Sequence, residues 1–386
     1  MKRQESQFEI AALIALGVAA ISPSVMAPVM VGTFIELLGF TTIQAGQIVS
    51  AEFLGMFVGT LIVLTLVSKV SRRRLVTLAA PLWIACNLFS VLSHSFEILL
   101  LLRAGAGVGM GIGVASVMGA IASRPNPVRL FAAFMVCVPL FLMIAIPGLQ
   151  SVIGSWGARG AYGFLLVLSA LVLLLAGSLP SVVPSTVAIG GEGTTMGFNA
   201  GRAVILGLLL SMLLLFIGFN GAWSYVNQVG RELGLSADRV AVMIGVAQIA
   251  SIGGSFLAGA LNERFGHALP VTLAILLVVT GSAFLANASH GPYFAAGLGI
   301  LLFGWMMVQP FLMGIAARMD SHGKIATAGT VAQSLGMAGG PFLAALYISG
   351  RPIAMVGYFS LVLFVIGLAL VLPSALKANN TMQMTR

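Results

Sequence analysis

Charge is what this chain has least of. Asp, Glu, Lys and Arg together make up 8% of its 386 residues, against about 25% in an ordinary soluble domain. A water-facing globular protein is thereby excluded. Cysteine is scarce too: Cys86 and Cys137 both fall inside apolar runs, so neither a disulfide framework nor a thiolate metal site is implied. The four histidines, His94, His267, His290 and His322, stand at the ends of apolar runs without ligand spacing, and no metal is expected. Nucleotide-binding signatures are missing too. Gly105, Gly107, Gly109, Gly111 and Gly113 never form a dinucleotide fingerprint or a phosphate loop, and they lie in an apolar run rather than after a strand. Small residues at this spacing serve instead to bring helices close together. No nucleophile, base and orienting acid can be assembled, so neither an enzyme nor a cofactor is expected.

What the chain does have is apolar length. Hydrophobic residues make up 59% of it, which places it in a bilayer. Crossing the hydrocarbon core takes about 20 apolar residues, and runs of that kind fall near 8–37, 43–67, 75–93, 96–122, 129–153 and 160–180. Six more lie near 202–229, 237–262, 269–288, 292–317, 326–349 and 352–373. The basic start, Lys2-Arg3, imitates a secretory leader, but the apolar run behind it is too long and leads to further spans, so it reads as the first span. Between the two sixes, residues 181–201 are rich in Ser, Thr, Gly and Pro with no apolar period. They read as a linker. The expected architecture is an all-α membrane protein of twelve transmembrane helices: a six-helix bundle over 1–180, a cytoplasmic linker over 181–201 and a second six-helix bundle over 202–386.

The net charge of +9 does not suggest nucleic acid, because the cations sit singly or in small groups between apolar runs. Their arrangement carries topology. With the N-terminus in the cytoplasm, only Arg159, Arg231, Arg239 and Arg351 fall in outer loops, and fourteen of the other Lys and Arg lie on the inner side. The positive-inside rule then puts both termini in the cytoplasm, with the protein spanning a bacterial-type inner membrane. The halves also echo each other: Gly259 to His267 joins spans 8 and 9 much as Leu64 to Arg72 joins spans 2 and 3, and Gly339-Gly340-Pro341 in span 11 answers Pro147-Gly148 in span 5. Duplicated halves of this kind imply a midplane site between them and a rocking motion around it.

These features resemble the major facilitator superfamily over essentially the whole chain. The superfamily's loop signature, Gly-x-Leu-x-Asp-Arg-x-Gly-Arg/Lys, is matched by Gly259, Leu261, Arg264 and Gly266, with Glu263 in the acidic place and His267 in a basic one. In the first half Ser68 replaces the acid and Ser71 the glycine, while Lys69, Arg72 and Arg73 keep the positive charge. The resemblance implies a gating latch made of Lys69, Arg72, Arg73, Gly259, Glu263, Arg264 and Gly266. Arg103 followed by glycines resembles the span-4 motif of proton-coupled members. Ile43 to Gly59, with Ala45-Gly46 and Ser50-Ala51-Glu52, looks like the second span of drug/proton antiporters, although their span-5 glycine-proline motif is reduced to Pro147-Gly148.

Glu52 and Arg103 are the ionisable residues set deep inside spans, about 15 Å and 10 Å from the outer ends at ~1.5 Å per residue. Two readings stand side by side: a buried pair that fixes packing, or a carboxylate that loads and releases a proton as the protein changes state. For substrate, Asn220, Trp223 and Asn227 recur at i, i+3 and i+7 on span 7, which puts them on one helix face. Trp305 and Gln309 do likewise on span 10, Gln248 and Gln333 add amides on spans 8 and 11, and Ser22 adjoins the Pro23 and Pro28 breaks of span 1. Each is either an interhelical hydrogen bond or part of an amphipathic pocket with aromatic walls.

The sequence therefore predicts a monomeric secondary transporter of a small organic molecule, working by alternating access and coupled to protons, with efflux as the direction. Its partners are the substrate, protons and the lipid bilayer. Proton-symport import of an organic anion paired with Arg103 is the alternative. A non-transporting sensor or assembly factor of the same fold is the third reading, and the short linker and tail argue against it.

Overall fold

The structure is a computed structural model and describes residues 7–124, 126–181, 201–261, 266–319 and 324–384. The chain divides into two compact units, Met1–Val187 and Ala188–Arg386. All described elements are helices. Eleven helical stretches among the described residues are long and apolar enough to cross a membrane.

In the first unit, α1 (Gln7–Val25) is broken at Met26 and continues through Ala27–Gly32 into a π-helical turn, Thr33–Leu37. The expected single span 8–37 is thus three pieces. Pro23 and Pro28 each lack the N–H that a continuous helix would use, and Pro28 sits in the first turn of the second piece, where that N–H is not needed. Next come α2 (Thr42–Leu66), α3 (Arg72–Leu92) and α4 (Phe96–Ala122). Each begins at a hydroxyl cap: Thr41 accepts from the Gln44 N–H in a reciprocal capping box, Ser71 from the Arg74 N–H and Ser95 from the Ile98 N–H. The helical stretch Pro127–Leu175 holds the fifth and sixth spans. A loop around Arg159 is expected from sequence, but a single residue separates the two. Gly157, at φ 62° and ψ −149°, takes a conformation closed to residues with a Cβ. We denote 127–156 as α5 and 158–175 as α6, so Arg159 lies in the first turn of α6, not in a loop. This break brings the spans to twelve.

In the second unit follow α7 (Arg202–Glu232), α8 (Ala237–Leu261), α9 (Ala268–Ala286), α10 (Gly291–Met319), α11 (Lys324–Ile348) and α12 (Val356–Met384). The packing pattern repeats between units. In the first, α4 packs on α2 and α3; in the second, α10 packs on α8 and α9, while α7 is flanked by α11 and α12. Many large apolar side chains face outward, among them Leu101, Ile144, Leu174 and Phe256, all more than 70% exposed. In water this would be costly, whereas lipid tails accept it without penalty.

The closest helix contact in the first unit joins α2 and α4. A Cβ at Gly55 would lie 2.1 Å from the Ala104 carbonyl oxygen, at Gly59 2.2 Å from that of Val108, and at Gly111 2.0 Å from that of Met56. The two backbones therefore touch, as small residues at four-residue spacing permit. The neighbouring glycines of α4 serve other partners: Gly109 lies against Trp83 of α3, and Gly113 against Ala20 of α1. In the second unit Gly254 of α8 meets the Phe303 carbonyl of α10 in the same way. The two proline-glycine pairs behave differently. Gly148 has open space around it, while Gly340 lies against Ile217 and Gly221 of α7, and the Pro341 carbonyl accepts from Tyr225 Oη at 3.3 Å.

Candidate functional site

The glycine seam between α2 and α4 delivers Glu52 and Arg103 to each other. Arg103 has no exposed surface and Glu52 is 6% exposed. Arg103 Nη1 lies 3.6 Å from Glu52 Oε1, near enough to neutralise the charge and too far for a hydrogen bond. Arg103 Nη2 is held more tightly, donating to Asn87 Oδ1 at 2.7 Å and to Ser90 Oγ at 2.9 Å, both on α3. Those acceptors are themselves anchored. Asn87 Nδ2 donates to the Leu165 carbonyl and to Ser169 Oγ of α6, each at 3.1 Å, and Ser90 Oγ donates to the Cys86 carbonyl at 2.7 Å. The Tyr162 ring of α6 lies under the guanidinium, with Arg103 Cζ 5.4 Å from its centroid, in cation–π range.

Four helices thus converge on one buried cation. Asn87, Ser90, Tyr162 and Ser169 are absent from the sequence-based site, since a neutral polar residue in a span signals no partner until the helix rotations are known. The signal that could have found Asn87 and Ser90 is their spacing, i and i+3 on one face of α3. Arg103 Nε and Tyr162 Oη have no hydrogen-bond partner among the described residues. Burying charge this way is expensive unless it is paired, so the cluster is a considerable investment of stability.

In the second unit two of the predicted residues, Trp223 and Trp305, belong to an aromatic column. Phe219 stacks on Trp305 with centroids 3.9 Å apart and planes 2° from parallel, and on Trp223 at 6.1 Å and 6°. Phe216 meets Trp305 edge-on at 4.8 Å. Phe219 and Phe216 are the additions here, one and two turns of α7 before the tryptophan. Asn220 lies beside this column but its Nδ2 donates to its own helix, at the Phe216 carbonyl, 3.0 Å away. Asn227 and Gln248 are buried, and Asn227 Oδ1 and Gln248 Nε2 have no partner among the described residues. Gln333 Nε2 lies 3.5 Å from Met313 Sδ of α10, and both Gln333 and Gln309 are half-buried. Ser22, in the first unit, closes on its own helix by donating to the Val18 carbonyl at 2.5 Å.

A sequence profile described as Major Facilitator Superfamily matches residues 12–343. The chain belongs to this superfamily. Among its relatives is a "Probable sugar efflux transporter" of Helicobacter pylori strain G27, 25% identical over 241 residues, which are 61% of this chain and 60% of that protein. A protein of the same name from Helicobacter acinonychis strain Sheeba is 25% identical over 64% of this chain and 65% of its own length. The matches therefore span less than two thirds of these relatives. Among solved structures, a D-xylose-proton symporter superposes with a TM-score of 0.75 at 15% identity, covering 94% of this chain and 97% of that one. A bacterial homologue of the human lysosomal transporter Spinster gives 0.70 at 14% identity, with 99% of both chains covered. These likenesses establish the fold. The superfamily and these relatives are transporters, not enzymes.

Of the superfamily's loop residues, Arg72 lies across the last turn of α4, where a Cβ on Gly119 would come within 2.8 Å of its Nε. The Arg73 N–H donates to the Pro180 carbonyl at 3.4 Å. Lys69 is exposed. In the second-half loop, Gly259 has open space around it and Gly266 has φ +69°, while Glu263 and Arg264 lie outside the described residues.

Proposed function

We propose that this protein is a proton-coupled secondary transporter that exports a small polyhydroxylated molecule across an inner membrane by alternating access, as a monomer. The observation that carries the reading is the Glu52–Arg103 pair: a titratable carboxylate, shielded from water on a membrane helix, beside a cation that is fixed independently of it. Such a pair suits a group that alternately takes up and gives up a proton. The substrate class is supported by the names of the relatives and by the second unit's mixture of flat aromatic surface with amide groups, which suits a ring bearing hydroxyls. Asn220, Trp223, Asn227, Gln248, Trp305, Gln309 and Gln333, with Ser22 from the first unit, are the residues proposed to meet it.

Import of an organic anion on Arg103 is disfavoured, because the guanidinium is fully buried and already paired. The deciding experiment is transport of a panel of labelled mono- and disaccharides in proteoliposomes under an imposed pH gradient. Movement of at least one of them against its gradient, abolished by a protonophore, is expected; no response to the pH gradient for any of them would overturn the reading. Reporter fusions after Asn126 and after Arg159 test the orientation, with cytoplasm and outside as the expected results.

A further inference from the structure

Arg103 is usually the natural suspect when a buried pair changes partners, yet its bonding here is lopsided. Toward Glu52 it offers a 3.6 Å contact, and toward α3 two hydrogen bonds of 2.7 and 2.9 Å. Asn87 makes the stronger of these and is held at its other end by the Leu165 carbonyl and Ser169 Oγ of α6. Its amide is thus fully committed, with the oxygen on the cation and the nitrogen on α6. Asparagine cannot rotate its amide without breaking all three bonds, and it has no exposed surface. A neutral acceptor also differs from a second carboxylate in one respect that matters: it holds the cation without cancelling its charge.

We infer that Asn87 is the positioning residue of the proposed coupling site, holding Arg103 in place without itself cancelling the charge, so that Glu52 alone changes partner when it is protonated. The inference rests on the reading of Glu52 as the proton carrier. When Glu52 takes up a proton, Arg103 keeps its bonds to Asn87 and Ser90, and α3, α4 and α6 stay joined. Only the contact from α2 loses its electrostatic hold. The titratable and charged groups of this cluster are Arg103 from α4 and Tyr162 from α6, which both act on Glu52, and Cys86 from α3, which lies against Gly105 and feels Arg103; none of them is a carboxylic acid that could replace Glu52.

The test is Asn87→Asp in proteoliposomes, with Glu52→Gln and Ser169→Ala measured alongside. Asn87→Asp is nearly isosteric, and it puts a carboxylate where Arg103 already binds at hydrogen-bond distance. The cation is then cancelled from α3, so proton-driven accumulation should fall on the order of tenfold, the weight of one hydrogen bond to a charged group. Its pH profile should shift, while substrate exchange without a pH gradient persists. Ser169→Ala removes one of the two bonds that hold the Asn87 nitrogen, leaving the one to the Leu165 carbonyl, and should move the pH profile in the same assay without abolishing coupling, which keeps the inference testable if Asn87→Asp fails to fold. If Glu52→Gln abolishes coupling but Asn87→Asp and Ser169→Ala both retain the original pH profile, Asn87 is a packing residue and the inference is wrong. Should Glu52→Gln itself retain coupling, the reading of the site falls and takes the inference with it.

Discussion

Gly107 of α4 stands so close to Glu52 of α2 that a Cβ on the glycine would lie 2.0 Å from the Glu52 carbonyl oxygen. The carboxylate therefore projects from a residue whose backbone is one of the two tightest contacts of the helix crossing, the other being Met56 against Gly111. Gly107→Ala should force the helices apart and cost at least about 1–3 kcal/mol, as overpacking does, with proton-coupled transport lost. Gly148→Ala, which meets nothing within 4 Å, is the control and should leave stability unchanged or slightly raised. Thermal unfolding in detergent compares the two; equal melting temperatures would contradict the seam.

The Glu52–Arg103 pair predicts an asymmetry. Breaking a buried ion pair from one side commonly costs 3–5 kcal/mol, but after Glu52→Gln the cation retains Asn87 and Ser90. That variant should lose about 1–3 kcal/mol and all proton-driven accumulation. Arg103→Gln, which strips partners on three helices, the acceptors of α2 and α3 and the Tyr162 ring of α6, should be the less stable of the two. Recovery of proton-coupled transport in Glu52→Gln/Arg103→Gln would show that neither charge carries the coupling.

Phe219 and Trp305 form a parallel stack, and their energies should be coupled. Each change to alanine should cost about 3–5 kcal/mol, and a double-mutant cycle should return an interaction of about 0.5–1.5 kcal/mol. Trp305→Ala should also weaken substrate binding more than turnover. Strict additivity of the two changes would mean that the rings only fill space.

Glu232, at the end of α7, accepts from the N–H groups of Ile353 and Ala354 at 3.0 and 2.9 Å, and so caps the turn leading into α12. Glu232→Ala should cost about 1 kcal/mol, the usual weight of a lost cap, with faster hydrogen exchange at those two amides. Glu232→Gln should fall between. Exchange that stays at the original rate in Glu232→Ala would show that water caps the turn equally well.

Much of this fold is legible in the sequence because lipid leaves few alternatives: apolar runs of span length must be helices, and Glu52 and Arg103 are conspicuous as charges within them. Two features are hidden for physical reasons. The joint between α5 and α6 reads as a loop because no sequence rule announces that Gly157 alone turns the chain. Asn87, Ser90 and Tyr162 stay out of sight because a neutral polar residue inside a helix acquires meaning only from rotation about the helix axis. Composition does not encode that rotation; packing sets it, through Gly109 against Trp83 and Gly111 against Met56. The aromatic column shows the same split, with Trp223 and Trp305 evident as rare large rings and Phe219 lost among the 23 phenylalanines.

The backbone contact between α2 and α4 also bears on the order of assembly in the bilayer. Glycine has no side-chain rotamers to surrender, so this seam closes at little entropic cost and needs nothing from later in the chain. The pair is expected to form once α4 has inserted, leaving Arg103 with Glu52, Asn87 and Ser90 before α6 is made. Tyr162 and Ser169 then arrive as the second stage, tightening a cluster that already exists. Force recorded on the nascent chain should rise once as α4 enters the membrane and again as α6 does, and Gly107→Ala should erase the first rise while sparing the second.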